Sequence, residues 1–294
     1  MAKRTKKNST IEIIILIIVI AFTIYKNLVT PSTASYTNPV EGNIEVQFID
    51  VGQADSILIR TEHSSALIDA GNNEDGPLLV NYFKSLGITS FDYVFGTHAH
   101  EDHIGGMDDI IKNFEVKKYY MPNVATTTKT FTDILDALEY KKYKFYTPKI
   151  GDKYSLDDAL FEVIYVGDDE DDLNSTSIVL RMDHGANSFL FTGDSPTKIE
   201  KLILDKNIDV DVLKVAHHGS TYSNSIEFLK AVSPNYSVIE VGNGNKYGHP
   251  HDIVMKRLNS IGTSIYRTDK QGTIIMESDG FVLNIKTIKT ETNG

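Results

Sequence analysis

The chain has no cysteine in 294 residues. That removes disulfides, thiolate metal ligands and cysteine nucleophiles together, so any metal ion must be held by His, Asp or Glu. Positive charge is also scarce. The net charge is −11, and residues 1–12 hold Lys3, Arg4, Lys6 and Lys7 against Glu12, so the rest of the chain carries about −14. So acidic a body repels phosphate backbones at long range, which argues against a tight, non-specific DNA binder but does not exclude a nuclease. No short-period repeat is found. Hydrophobic residues make up 41%, enough for a sizeable core, and wholesale disorder is excluded.

One long uncharged run is present. Ile13 to Tyr25 reads IIILIIVIAFTIY, and continued to Val29 it gives about 17 residues, the short end of a membrane span. The basic flank predicts a cytoplasmic N-terminus, so residues 1–29 read as a signal anchor of a single-pass protein whose catalytic domain lies outside the cell. The rival reading is a cleaved signal peptide, with Ser32-Thr33-Ala34 as a small-x-small site and a secreted product. Residues 30–42 contain two prolines and no apolar period and read as a linker.

From Asn43 to about residue 290, strands and helices alternate. Strands are expected at Ile44–Asp50, Ser56–Arg60, Ser65–Asp69, Tyr93–Gly96, Lys117–Met121 and Lys144–Tyr146, with helices at Pro77–Leu86, Ile104–Phe114 and Phe131–Tyr140. A second strand-rich half runs from Tyr154 to Ile285, with helices at Pro196–Asp205, Ser225–Val232 and Ile253–Ile261. Two such halves predict one α/β domain of two packed sheets with helices outside.

Residues 97–106 read THAHEDHIGG, placing His98, His100, Asp102 and His103 within six positions after an apolar strand. His98 and His100, two apart, project to one side and are suited to hold one metal ion; Asp102 and His103 follow in the turn, where they can face a second. Three further strand ends carry matching groups. Phe189–Thr192 runs into Gly193-Asp194, Val210–Val215 into His217-His218, and Tyr236–Val241 is followed by His249-Pro250-His251. Seven of nine histidines therefore cluster; His63 and His184, beside polar turn residues, read as surface bystanders. Adjacent strand residues point to opposite faces, which favours His217 over His218 as the group aimed at an ion.

THAHEDHIGG, LIDAG (Leu67–Gly71) and FTGD (Phe191–Asp194) resemble the motifs of the metallo-β-lactamase superfamily. More narrowly, FIDVGQADSILI, NSTSIVLRM, FLFTGDS, DVLKVAHHGS and YGHPH, in this order over about residues 44–287, look like the C-terminal hydrolase domain of ComEC-type competence proteins. The many-span channel of that family is missing here. The resemblance implies an αβ/βα sandwich with two divalent metal ions, zinc first and manganese second, on the shared edge of the sheets. His98 and His100 would hold one ion and Asp102 with His103 the other, Asp194 would bridge them, and His217 or His218 would complete the second. Asp69 would orient the histidine loop. Many relatives have a further histidine ahead of the FTGD strand; here that region reads DDEDDLNSTS, so Asn174 or water would stand in. Its run Asp168–Asp172 lacks the spacing of a calcium loop and reads as a solvated turn.

Two such ions would activate water for hydrolysis, Asp102 would serve that water, and His249 would stabilise or protonate the leaving group. The implied partner is a phosphoester substrate, DNA being the leading candidate, with membrane contact through residues 13–29 and no protein partner expected. The alternatives are an esterase for phosphocholine or cell-wall phosphates and a non-catalytic surface module that binds through its metal site.

Overall fold

The computed structural model describes residues 39–289. The expected anchor at 13–29 and most of the linker lie outside them; among the described residues no helix is long and apolar enough to cross a membrane.

The first half opens with β1 (Ile44–Phe48), β2 (Ile57–Arg60) and β3 (Ser65–Ile68), an antiparallel meander whose side chains are nearly all buried. Both faces are covered, so the apolar runs are continuous rather than alternating. Ile57, Ile59, Ala66 and Ile68 point to the core between the sheets, while Leu58 and Leu67 point to an outer core under helices. Helix α1 (Gly76–Ser85), β4 (Ser90–Phe91), β5 (Tyr93–Phe95), the one-turn α2 (Glu101–Ile104), α3 (Met107–Asn113), β6 (Glu115–Val116), β7 (Tyr119–Tyr120), α4 (Lys129–Lys141) and β8 (Phe145–Tyr146) follow. Thr128 caps α4 by accepting from the Phe131 N–H (3.3 Å). Phe83 of α1, Ile110 of α3 and Ile134 of α4 fill that outer core.

The second half holds β9 (Lys153–Leu156), β10 (Ala159–Tyr165), β11 (Val179–His184), β12 (Asn187–Phe191), α5 (Thr197–Leu202), β13 (Val212–Lys214), α6 (Ile226–Val232), β14 (Tyr236–Ile239), α7 (Asp252–Ile261), β15 (Ser264–Arg267) and α8 (Thr268–Gln271). Finally β16 (Thr273–Ser278) and β17 (Leu283–Ile288) cross back to the first sheet. One sheet has the order β17-β16-β1-β2-β3-β5-β7-β8 and the other β15-β14-β13-β12-β11-β10-β9, with β4 and β6 as a small separate pair. Both are mixed, parallel over β3-β5-β7-β8 and over β12-β13-β14-β15. Phe48, Phe161, Phe189 and Phe191 pack between the sheets, and helices α6 and α7 cover the second sheet's far side. This is the expected α/β sandwich of two mixed sheets flanked by helices.

Two local expectations fail. The helix expected over 104–114 is broken, because Gly105 and Gly106 lie against the turn after β3. A Cβ on Gly105 would stand 2.2 Å from the Asn72 carbonyl carbon, and one on Gly106 2.4 Å from the Ala70 oxygen. His184 is not a surface residue: it is 3% exposed, with Nδ1 2.7 Å from the Ser278 hydroxyl, because the β16–β17 hairpin folds over it. His63 is exposed as expected, and the acidic run pairs through Asp169 and Asp172 with Lys198.

Candidate metal centre

Asp69 follows β3 at a positive φ (59°) and is 1% exposed. Its carboxylate accepts the Thr97 N–H (2.7 Å) and the Thr97 hydroxyl (2.7 Å), and lies 2.8 Å from His103 Nδ1. The histidine loop is also zipped to this turn by backbone: Ala70 donates to His103 O (2.7 Å) and Gly105 to Gly71 O (2.8 Å). His103 is thereby fixed with Nε2 facing Asp194, which is the orientation a carboxylate–histidine pair imposes on a ligand.

His98, fully buried, and His100, the residue before α2, bring Nε2 and Nδ1 to 3.0 Å of each other. That is close to the separation of two nitrogens on one tetrahedral ion, roughly 3.3 Å for bonds of ~2.0–2.1 Å. Burial and the neighbouring His103 hold the His98 imidazole well below its usual range, so its lone pair is available.

Asp194 comes from the other sheet, just after β12, its N–H donating to Ser177 Oγ (3.2 Å). Its Oδ1 lies 3.2 Å from His103 Nε2 and its Oδ2 3.9 Å from His218 Nε2, and His218 Nε2 is 3.3 Å from Asp102 Oδ2. His98, His103 and Asp194 form one group of converging ligand atoms, and Asp102, His103 and His218 another. The two groups share His103, Asp194 belongs to the first, and His100 meets His98 but is in neither.

The preference for His217 is corrected in placement. β13 ends at Lys214, and Ala216–Gly219 form a 3₁₀ turn in which His217 and His218 both take left-handed angles (φ 53° and 52°). The alternation of a strand no longer applies there. His218 is 1% exposed and joins Asp102 and His103, whereas His217 meets Asp194 from the rim, Nε2 to Oδ2 3.5 Å. Asn174 Oδ1 is buried without a hydrogen-bond partner.

The residues fit a cation. Asp194 Oδ1, His103 Nε2 and His218 Nε2 are buried, crowd one another and make no hydrogen bond. Burial opposes ionisation of Asp102 and Asp194, yet the histidines beside them hold both carboxyls below their usual range. Burial likewise opposes protonation of His218, but Asp194 and Asp55 push it up to about 10. Protons therefore sit where the charge of a divalent ion would satisfy the same carboxylates.

The cleft above, about 610 Å³, is lined by Gln53, Glu74, Glu101, Lys246, Tyr247 and His249 besides the centre itself. His249 stands 5.6 Å from His217 and 6.3 Å from His218, ring to ring. It sits on a loop organised by one side chain: Asn245 donates to Gly242 O (3.0 Å) and His249 O (2.7 Å) and accepts from the N–H of Tyr247 (3.2 Å) and His249 (3.0 Å). Gln53 Oε1 ties the loop's start by accepting from Gly242 (3.1 Å).

Sequence reasoning missed Asp55, Lys214 and Glu240, all buried behind the centre. A signal existed for two of them: Lys214 and Glu240 interrupt strand segments (VLKV, VIEV) that are otherwise apolar on both faces.

Residues 49–242 match the family described as the Metallo-beta-lactamase superfamily. ComE operon protein 3 of Bacillus subtilis (strain 168) is 32% identical over 251 residues, which covers 78% of this chain and 32% of that protein. Competence protein ComA of Neisseria gonorrhoeae is 30% identical over 239 residues, covering 80% and 32%. The chain spans about a third of the length of these curated relatives. Among solved structures, Igni18, a metallo hydrolase from the archaeon Ignicoccus hospitalis, is similar in fold, with a TM-score of 0.54 at 17% identity over 79% of this chain and 98% of that one.

Proposed function

The chain belongs to the metallo-beta-lactamase superfamily, and from that premise we propose that it is a dinuclear metal-dependent phosphodiesterase acting on DNA. The observation that supports this reading is the convergence of two ligand groups, His98, His103 and Asp194 and then Asp102, His103 and His218, on one centre. His98 and His100 would hold one divalent ion and Asp102, His103 and His218 the other, with Asp194 between them. Imidazole and carboxylate without sulfur suit zinc and also manganese. When bound, such ions activate water at neutral pH and neutralise charge developing on the phosphoryl oxygens.

The chain's own groups do the rest. Asp69 orients His103; Asp102, ionised and lining the cleft, is placed to orient water there by accepting its hydrogen bond. His249 faces the cleft with Nδ1 unpartnered and, held neutral by burial, is placed to stabilise the leaving oxygen by a hydrogen bond. Lys246, on the same loop, supplies positive charge for a phosphate among the acidic walls. Likeness to competence proteins supports DNA as the substrate.

The test is metal analysis followed by turnover of bis-p-nitrophenyl phosphate, DNA, RNA and phosphocholine esters. Chelator-sensitive cleavage of DNA is expected. Turnover of phosphocholine esters without DNA cleavage would replace the substrate, and bound metal without any turnover would make the protein a binding module. We also place the domain outside the cell, tethered through residues 13–29, so protease added to intact cells should remove it; protection despite verified protease access would refute that placement.

A further inference from the structure

Behind the centre lies a charged pair that the proposed reaction does not use. Lys214, the last residue of β13, is 1% exposed, and so is Asp55; Glu240, after β14, is fully buried. Lys214 Nζ donates to Asp55 Oδ2. A buried ion pair is seldom a net gain in stability over well-packed apolar residues, so its place in a core asks for another role.

Asp55 touches every member of one ligand trio. Its Oδ1 lies 3.2 Å from His218 Nδ1, its Oδ2 3.6 Å from His103 Nδ1, and its backbone N–H donates to Asp102 O (3.1 Å). His218 Nδ1 also donates to Glu240 O (2.9 Å), and the Glu240 carboxylate accepts the N–H of Ser56, the residue next to Asp55 (3.0 Å). The other histidines are braced differently: His98 Nδ1 rests on the Thr97 hydroxyl (3.1 Å) and its Nε2 meets His100.

We propose that Lys214, acting through Asp55, is a positioning residue for one ion position alone, that of Asp102, His103 and His218, and not for that of His98 and His100. This rests on the dinuclear reading above. The Asp55 carboxylate lies behind both imidazoles, whose Nδ1 atoms bond to Asp69 and to Glu240 O, and its negative charge beside the two rings holds both Nε2 atoms toward one point; the lysine holds that carboxylate in place.

The experiment is a calorimetric titration of the metal-free full chain with Mn²⁺, alongside its melting temperature. It compares wild type with Lys214→Met, Asp55→Asn and the double variant Asp55→Leu/Lys214→Met. Wild type should take two ions. Each single variant should keep one at unchanged affinity and bind the other about 10–100-fold more weakly. The double variant removes both charges and so regains the melting temperature, yet its second ion should stay weak; it carries the test if a single variant fails to fold. Recovery of both stability and the second ion in the double variant would show the pair to be structural only. Equal loss of both ions, or loss of neither, would also overturn the inference. A wild type that takes one ion or none would instead overturn the dinuclear reading, and the inference with it.

Discussion

Asp69→Ala should destabilise the fold and also weaken metal binding, because one carboxylate serves both. It is 1% exposed and takes hydrogen bonds from the Thr97 N–H and hydroxyl, each at 2.7 Å, and from His103 Nδ1 at 2.8 Å. The Thr97 hydroxyl can rotate to another acceptor, but its N–H and the His103 N–H are fixed. Each buried donor left unmade costs ~1–3 kcal/mol, so roughly 2–6 kcal/mol is lost, against a typical domain stability of about 5–15 kcal/mol. Relief from burying a carboxylate offsets part of this, since burial raises the Asp69 pKa despite His103, and we expect ~2–4 kcal/mol. Asp69→Asn keeps an acceptor for Thr97 but turns an amide donor toward His103, so it should cost less in stability, ~1–3 kcal/mol, while still weakening metal binding about 10–100-fold. Urea unfolding of the metal-free protein measures the first effect and a metal titration the second. Both variants falling within ~0.5 kcal/mol of wild type, or binding metal with its affinity, would refute the reasoning.

Three further outcomes are expected. His218→Ala should lose one ion, and His217→Ala, which meets Asp194 Oδ2 at 3.5 Å but joins no converging group, should weaken turnover with both ions retained; metal stoichiometry distinguishes them, and the reverse pattern would restore the strand-based choice. Gly106→Ala should cost ~1–3 kcal/mol or more, because its Cβ would meet the Ala70 oxygen at 2.4 Å and Gly76 Cα at 2.8 Å; an unchanged urea midpoint would mean the turn yields freely. Burial, then His218, His217 and His251, hold His249 down to about 4. As pH falls from about 6.5 the unfolded chain takes that proton first, so stability is lost between about 6.5 and 4 and is present above. In the metal-free protein His249→Gln should flatten that loss, and parallel wild-type and variant curves of unfolding midpoint against pH would be evidence against it.

The sandwich was legible because its central strands are apolar on both faces and four of them, β5, β12, β13 and β14, run into chemically distinctive groups. Ile57 to Ile59 and Ala66 to Ile68 read as buried strands wherever their alternate residues point, and the groups at 98–103, 194 and 217–218 stood out against them. What failed depended on contacts distant in sequence. His184 looked like a turn residue because the hairpin covering it lies about 90 residues on. Asp55 sits in a Gly-Gln-Ala-Asp segment that reads as an ordinary turn, and nothing local tells that Lys214, 159 positions later, neutralises it. His217 and His218 were misjudged because left-handed angles at two non-glycine residues are disfavoured, and only their surroundings impose them. The helix at 104–114 was overextended for a related reason: it ran across Gly105-Gly106, whose lack of side chains is the space the preceding turn needs.

The loop that carries Lys246, Tyr247 and His249 is held by the Asn245 side chain and by Gln53, and Tyr247 and His249 contribute nothing to the three apolar cores. Its sequence is therefore free to drift without unsettling the sandwich, provided Asn245 and the Gln53 tie survive. The ligand trio, by contrast, is locked to core strands through Asp69, Asp55 and Lys214. Retargeting such a protein, in a lineage or at the bench, then becomes a matter of exchanging a short cassette at the rim while the ligand trio behind it stays in place.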